Sequence, residues 1–158
     1  MKKILFLLLI CAQPLQSLEL VCKFEEVYPN GEVQQGNVFF KKDKLRYEYY
    51  NPELYVLLYV NNKLFMINNI NRNQIQFIEN HNNVIPSILE IYEDYPNFKD
   101  KYSKNNSEIT LEKGTKFFKR ISIKSHQLNL SIFFIGCQEV LLDEQYFNFN
   151  PFKEYVPN

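Results

Sequence analysis

Along most of the chain, apolar and polar residues alternate with period two, the pattern of strands that bury one face. It predicts strands over Leu20–Val27, Val33–Lys41, Lys44–Tyr50, Tyr55–Val60, Lys63–Asn68 and Gln74–Glu79. It predicts them again over Ser107–Glu112, Lys116–Lys124, Gln127–Ile135, Gln138–Leu142 and Gln145–Asn150. Pro29-Asn30-Gly31 marks a first turn, and Asn61-Asn62 a tight hairpin, since Asn tolerates positive φ there. Gly136 marks a bulge or a turn. One stretch has another period: Ile85, Ile88, Leu89 and Tyr92 fall at i, i+3, i+4 and i+7, as on one face of a helix. Pro86 suits its first turn and Pro96 ends it. Residues 97–107 are polar and read as loop or as a frayed continuation of the helix. The expected fold is mainly β with α: a strongly curved antiparallel sheet, an incomplete β-barrel, with a short helical lid on its concave side.

The alternation also sorts side chains by face. Leu45, Tyr47 and Tyr49 share one face, while Arg46 and Glu48 share the other and can pair there in solvent. The 55–68 hairpin is apolar on both faces, with Leu57 and Tyr59 opposed to Leu58 and Val60, and Leu64 and Met66 to Phe65 and Ile67. Either one face meets the helix and the other a second layer, or one is left open.

The amino terminus changes the picture. Lys2 and Lys3 precede the apolar run Ile4–Ala12, and Leu15-Gln16-Ser17 resembles a cleavage site, the plan of a secretory signal peptide over residues 1–17. The run is shorter than the roughly 20 residues that a membrane-spanning helix needs. Lipidation at Cys11 is disfavoured by the bulky Leu8-Leu9-Ile10 before it. Residues 18–158 then form one domain. Its cysteines, Cys22 and Cys137, are either a disulfide or two buried thiols.

Charge and chemistry narrow the function by exclusion. Lys plus Arg and Asp plus Glu each number 18, so no net field favours nucleic acid. His81 and His126 lie in turns without ligand spacing, and neither cysteine belongs to a CxxC pair. Neighbouring acids, Glu25-Glu26, Glu93-Asp94 and Asp143-Glu144, read as solvated, and strand neighbours point to opposite faces. No catalytic residue, metal or cofactor is expected, and an envelope hydrolase is disfavoured.

The run GNVFFKKDKLRYEYYNP followed by LYVNNKLFMINNINRNQI resembles the periplasmic outer-membrane lipoprotein carriers of the LolA type. Gly36, Lys44, Leu45, Arg46, Tyr47, Glu48, Tyr49 and Pro52 fit the first motif. Val60, Asn61, Asn62, Leu64, Phe65, Asn68, Gln74 and Ile75 fit the second. Ile85-Pro86-Ser87-Ile88-Leu89 is similar to the family's Pro-containing helix, and Phe147-Asn148-Phe149-Asn150-Pro151 to its closing strand. The chain departs in three places. Leu18–Phe24 runs into strand where the family has a helix, the basic corner has Lys41 or Lys42 without Arg-Pro, and Tyr47 and Phe65 replace tryptophans.

The resemblance implies a non-enzymatic carrier in the periplasm that shields the acyl chains of lipoproteins or lipids in an apolar cavity. Leu45, Tyr47, Tyr49, Leu58, Leu64 and Met66 are the expected cavity residues, and Ile88, Leu89 and Tyr92 the lid. Tyrosine hydroxyls at the rim would meet ester or glycerol oxygens. The implied partners are an inner-membrane releasing complex and an outer-membrane receptor, with the protein itself a monomer. The competing expectation is a sensor or regulatory module that uses the same half-barrel to recognise a protein or lipid ligand.

Overall fold

The computed structural model describes residues 18–79, 84–104, 106–115, 117–126 and 128–150. The signal-peptide and Cys11 expectations, His81 and Pro151 lie outside them. Among the described residues, ten strands form one antiparallel sheet: β1 (Glu19–Val27), β2 (Val33–Lys41), β3 (Lys44–Tyr49), β4 (Tyr55–Val60), β5 (Lys63–Asn68), β6 (Ile75–Ile78), β7 (Lys101–Lys104), β8 (Ser107–Lys113), β9 (Phe118–Lys124) and β10 (Asn129–Glu139). Their spatial order is β6-β5-β4-β3-β2-β1-β10-β9-β8-β7. The sheet is thus two meanders that meet along β1 and β10. It stays open, with β6 and β7 as its margins. The helix α1 (Val84–Glu93) lies in the connection between those two margins.

Local chemistry explains the turns. Asn61 and Asn62 take φ of 51° and 59°, the left-handed pair that a two-residue hairpin requires. Gly31, at φ +84°, closes the first turn by donating to the Tyr28 carbonyl at 2.9 Å. At Gly136, φ 61°, β10 bulges opposite β1, and Cys22 and Cys137 are joined there by a disulfide.

Three expectations are corrected. The polar 97–107 stretch contains a strand, β7, because pairing with β8 satisfies its backbone although only Tyr102 of the four is half-buried. Gln138 and Glu139 extend β10 instead of opening a new strand. The segment predicted as strand Gln145–Asn150 instead begins with a 3-10 turn, Glu144–Phe147, whose Asp143 side chain accepts from the Gln145 N–H.

The period-two pattern fills both faces. One row across the first six strands, Leu20, Phe40, Leu45, Tyr59, Leu64 and Ile78, faces the main core. The helix supplies Ile85, Ile88, Leu89, Ile91 and Tyr92 to that same core, together with strands from both meanders. The opposite row, Val21, Phe39, Arg46, Leu58, Phe65 and Phe77, carries a second apolar cluster. Leu142 and Phe147 of the carboxyl-terminal segment pack on it. The second face of the 55–68 hairpin therefore has a layer over it.

Candidate functional site

The inner face holds five of the six residues expected to line a cavity. Leu45, Tyr47 and Leu64 are fully buried, Tyr49 is buried, and Met66 packs against them half-buried. Leu58 is the exception. It lies directly across from Arg46, on the outer face, and belongs to the second cluster. Period two forbids Leu58 from sharing a wall with Leu57, and Leu57 is the inner residue.

Aromatic rings close much of this face. Phe24 stacks on Tyr47 with centroids 3.8 Å apart, and Gly36 makes room: a Cβ there would lie 2.0 Å from the Glu48 carbonyl oxygen and 2.5 Å from the Phe24 ring. Further along, Phe40 stacks on Tyr92 of α1 at 4.9 Å, and Phe117, Phe118 and Phe134 surround the pair. The three expected lid residues, Ile88, Leu89 and Tyr92, are all buried against this wall.

The tyrosine hydroxyls meet a carboxylate at one end of the face. Glu26 is only 3% exposed, since it shares the inward parity of Leu20, Cys22 and Phe24. Its oxygens accept from Tyr28 at 2.8 Å, Tyr47 at 2.8 Å and Tyr49 at 3.1 Å. Of the adjacent acids read as solvated, Glu26 is thus a correction: it is buried, while Glu25 is half-buried on the opposite face. Burial, and then the neighbouring Glu26 charge, raises the Tyr28, Tyr47 and Tyr49 hydroxyls above the ordinary tyrosine range. These phenols stay neutral donors to the carboxylate at physiological pH.

The outer face is organised around Arg46, expected in solvent but 0% exposed beneath the carboxyl-terminal segment. Its Nε donates to Glu48 at 3.1 Å, and its Nη1 to the carbonyls of Tyr146 at 3.4 Å and Asn148 at 3.2 Å. Arg72 reaches the other oxygen of Glu48 at 3.0 Å. Burial disfavours the charged forms of both Arg46 and Glu48. The two guanidiniums outweigh it at Glu48 and hold that carboxyl below its ordinary range, whereas at Arg46 burial prevails and lowers the pKa. The signal for this cover was present in the pattern, because Val56, Leu58, Phe65 and Ile67 are apolar on the same face as Arg46.

The basic corner is a salt-bridge cluster. Lys41 sits 3.3 Å from Glu19 and 3.2 Å from Glu144, and donates to the Leu142 carbonyl at 2.6 Å. Lys44 also pairs with Glu144. Lys42 occupies the β2–β3 turn at positive φ and is exposed. Lys41, and not Lys42, therefore ties the sheet to the carboxyl-terminal segment. Beside it, a half-open groove of about 710 Å³ runs between the β4–β5 hairpin and that segment, lined by Lys63, Phe65, Phe147 and Phe149 among others.

His126 is exposed in its turn. Among the described residues no three His, Cys, Asp or Glu side chains converge as a metal site, and no helix is long and apolar enough to cross a membrane. No protein-family model and no curated protein matches the chain.

Proposed function

We propose that the protein is a periplasmic carrier of lipid acyl chains, of the LolA kind, whose inner face is closed by α1 when no cargo is bound. In this reading the sheet curves as an incomplete barrel and α1 is its lid. The observation that carries it is the position of α1: it joins the two unpaired sheet margins and buries five large apolar side chains on an aromatic wall. Undocking such a helix uncovers a continuous apolar surface without breaking any strand ladder.

The magnitudes are compatible with loading and release. Burying five such side chains contributes about 8–15 kcal/mol, and each acyl methylene removed from water about 0.8 kcal/mol. One chain of roughly 16 carbons nearly offsets the undocking cost, and a second gives net binding. A carrier with this balance holds a multiply acylated cargo and lets it go when a receptor stabilises the closed state. Glu26 and its tyrosines would set the polar end of the compartment, with Tyr28 and Tyr55 half-buried at its edge.

The test is hydrogen exchange with and without a diacylated peptide. The α1 amides are expected to lose protection on binding while the β1–β2 amides keep theirs, and the unlipidated peptide is expected to do neither. Unchanged α1 protection on saturation with the lipidated peptide would overturn the lid. Equal affinity for the unlipidated peptide would replace transport with the regulatory reading.

A further inference from the structure

The two margins of the sheet are built differently. The β7 edge carries Lys101 and Lys104, both exposed and paired with Glu108 and Glu90, the charged blunting that keeps an edge from recruiting other strands. The β6 edge has the sequence Ile-Gln-Phe-Ile and no charge at all. Ile75 is 40% exposed and Phe77 54% exposed. With Phe65 and Phe149, whose rings contact Phe77 and Phe65 at 6.0 and 4.9 Å, they make one apolar patch on the outer face.

Hydrogen-bond parity shows which backbone groups are free. The Asn68 N–H donates to the Gln74 carbonyl at 3.0 Å, so the alternation of the ladder turns Gln76 and Ile78 toward β5. The N–H and C=O of Ile75 and Phe77 then point to the open side. The residues with the exposed apolar side chains are those whose backbone groups have no partner among the described residues. A lipid surface could cover the side chains but would leave these groups without partners. A strand satisfies both.

We infer that β6 pairs antiparallel with β6 of a second copy of this chain, about a two-fold axis through Gln76. In that register Ile75 of each copy faces Phe77 of the other on the outer face. All four are the outward-bonding positions, so four inter-chain backbone hydrogen bonds form. Gln76 faces its own copy as a non-hydrogen-bonded pair. No one-residue slip of the register preserves this parity. Aromatic–β-branched cross-strand pairs of this kind are stabilising. The strand is short, so the interface is small and the dimer belongs to the weak class. The single-copy state expected from the sequence is then the dilute form.

Sedimentation equilibrium of the purified protein tests this, with dimer expected at concentrations of about 10–100 μM, the range of a weak contact. Phe77→Lys should shift the equilibrium to monomer, with an unchanged far-ultraviolet spectrum. Register is read independently by cross-linking. The paired Gln76 Cα atoms lie about 4.5 Å apart in this arrangement, within disulfide reach, so Gln76→Cys should form a covalent dimer under oxidation. Ile75→Cys and Gln74→Cys, each offset from its own copy beyond about 7 Å, should not. Monomer throughout up to about 1 mM, a dimer untouched by Phe77→Lys, or cross-linking without preference for position 76 would each overturn the proposal. So would loss of vesicle binding by Phe77→Lys in a protein that stays monomeric, which would assign the patch to lipid.

Discussion

Tyr47→Phe isolates one hydrogen bond in the buried Glu26 cluster. The substitution removes only the hydroxyl, so the ring keeps its 3.8 Å stacking on Phe24 and no cavity opens. What is lost is a 2.8 Å bond to a carboxylate that water cannot replace, because Tyr47 is fully buried and Glu26 nearly so. A hydrogen bond to a charged group contributes about 1.5–3 kcal/mol, and that is the expected loss in urea unfolding of the oxidised protein. Tyr28→Phe removes a bond of the same length from a half-buried residue, where solvent can take the hydroxyl's place. Its cost should stay below about 1 kcal/mol. In a Glu26→Gln background, Tyr47→Phe should cost about 1 kcal/mol less than in the native protein, since the charge assistance is already gone. A loss under about 0.5 kcal/mol for Tyr47→Phe, or equal losses at positions 28 and 47, would refute the carboxylate as the organising group.

Alkaline titration tests the same cluster by another route. With the Tyr28, Tyr47 and Tyr49 pKa values raised in the folded state, the unfolded chain releases those protons first. Their contribution is full below the ordinary tyrosine value of about 10 and falls as pH rises beyond it, by about 1.4 kcal/mol per pH unit for each of the buried Tyr47 and Tyr49 and by less for Tyr28, which solvent screens. Tyrosinate absorbance should therefore appear together with loss of fold, and ionisation of all three near pH 10 in an intact protein would contradict it. Gly36→Ala forces a methyl against the Glu48 carbonyl and the Phe24 ring and should destabilise by about 1–3 kcal/mol or more, measured by chemical denaturation. A change within about 0.5 kcal/mol would mean that Phe24 is not held over that glycine.

Much of this architecture was legible because period two carries a strong signal where one face is buried. Nine of the strands, the Asn61-Asn62 turn and α1 follow from apolar spacing and from residues that tolerate positive φ. The tenth, β7, has one half-buried residue in Lys-Tyr-Ser-Lys, so its pairing is dictated by β8 and leaves almost no imprint on its own sequence. Phe147-Asn148-Phe149 alternates like a strand, yet its aromatic side chains pack on the outer cluster and its backbone joins no ladder. At the candidate site, parity places Glu26 inward and Leu58 outward. Treating Glu26 as half of an acidic pair hid the first, and two apolar faces on one hairpin hid the second. The burial of Arg46 depends on a cover about 100 residues distant along the chain, which local pattern cannot report.

Because β1 and β10 meet in the middle of the sheet, the first and last of the described strands form its central seam. Every other ladder joins neighbours along the chain and closes over a short loop. The seam must close over a loop of 115 residues, as measured between its cysteines, and so bears the largest entropy cost of assembly. Because synthesis runs from the amino end, β1 is made long before its central partner. For that interval one side of β1 is an unprotected edge, and the thiol of Cys22 waits on it for a mate that follows 115 residues later.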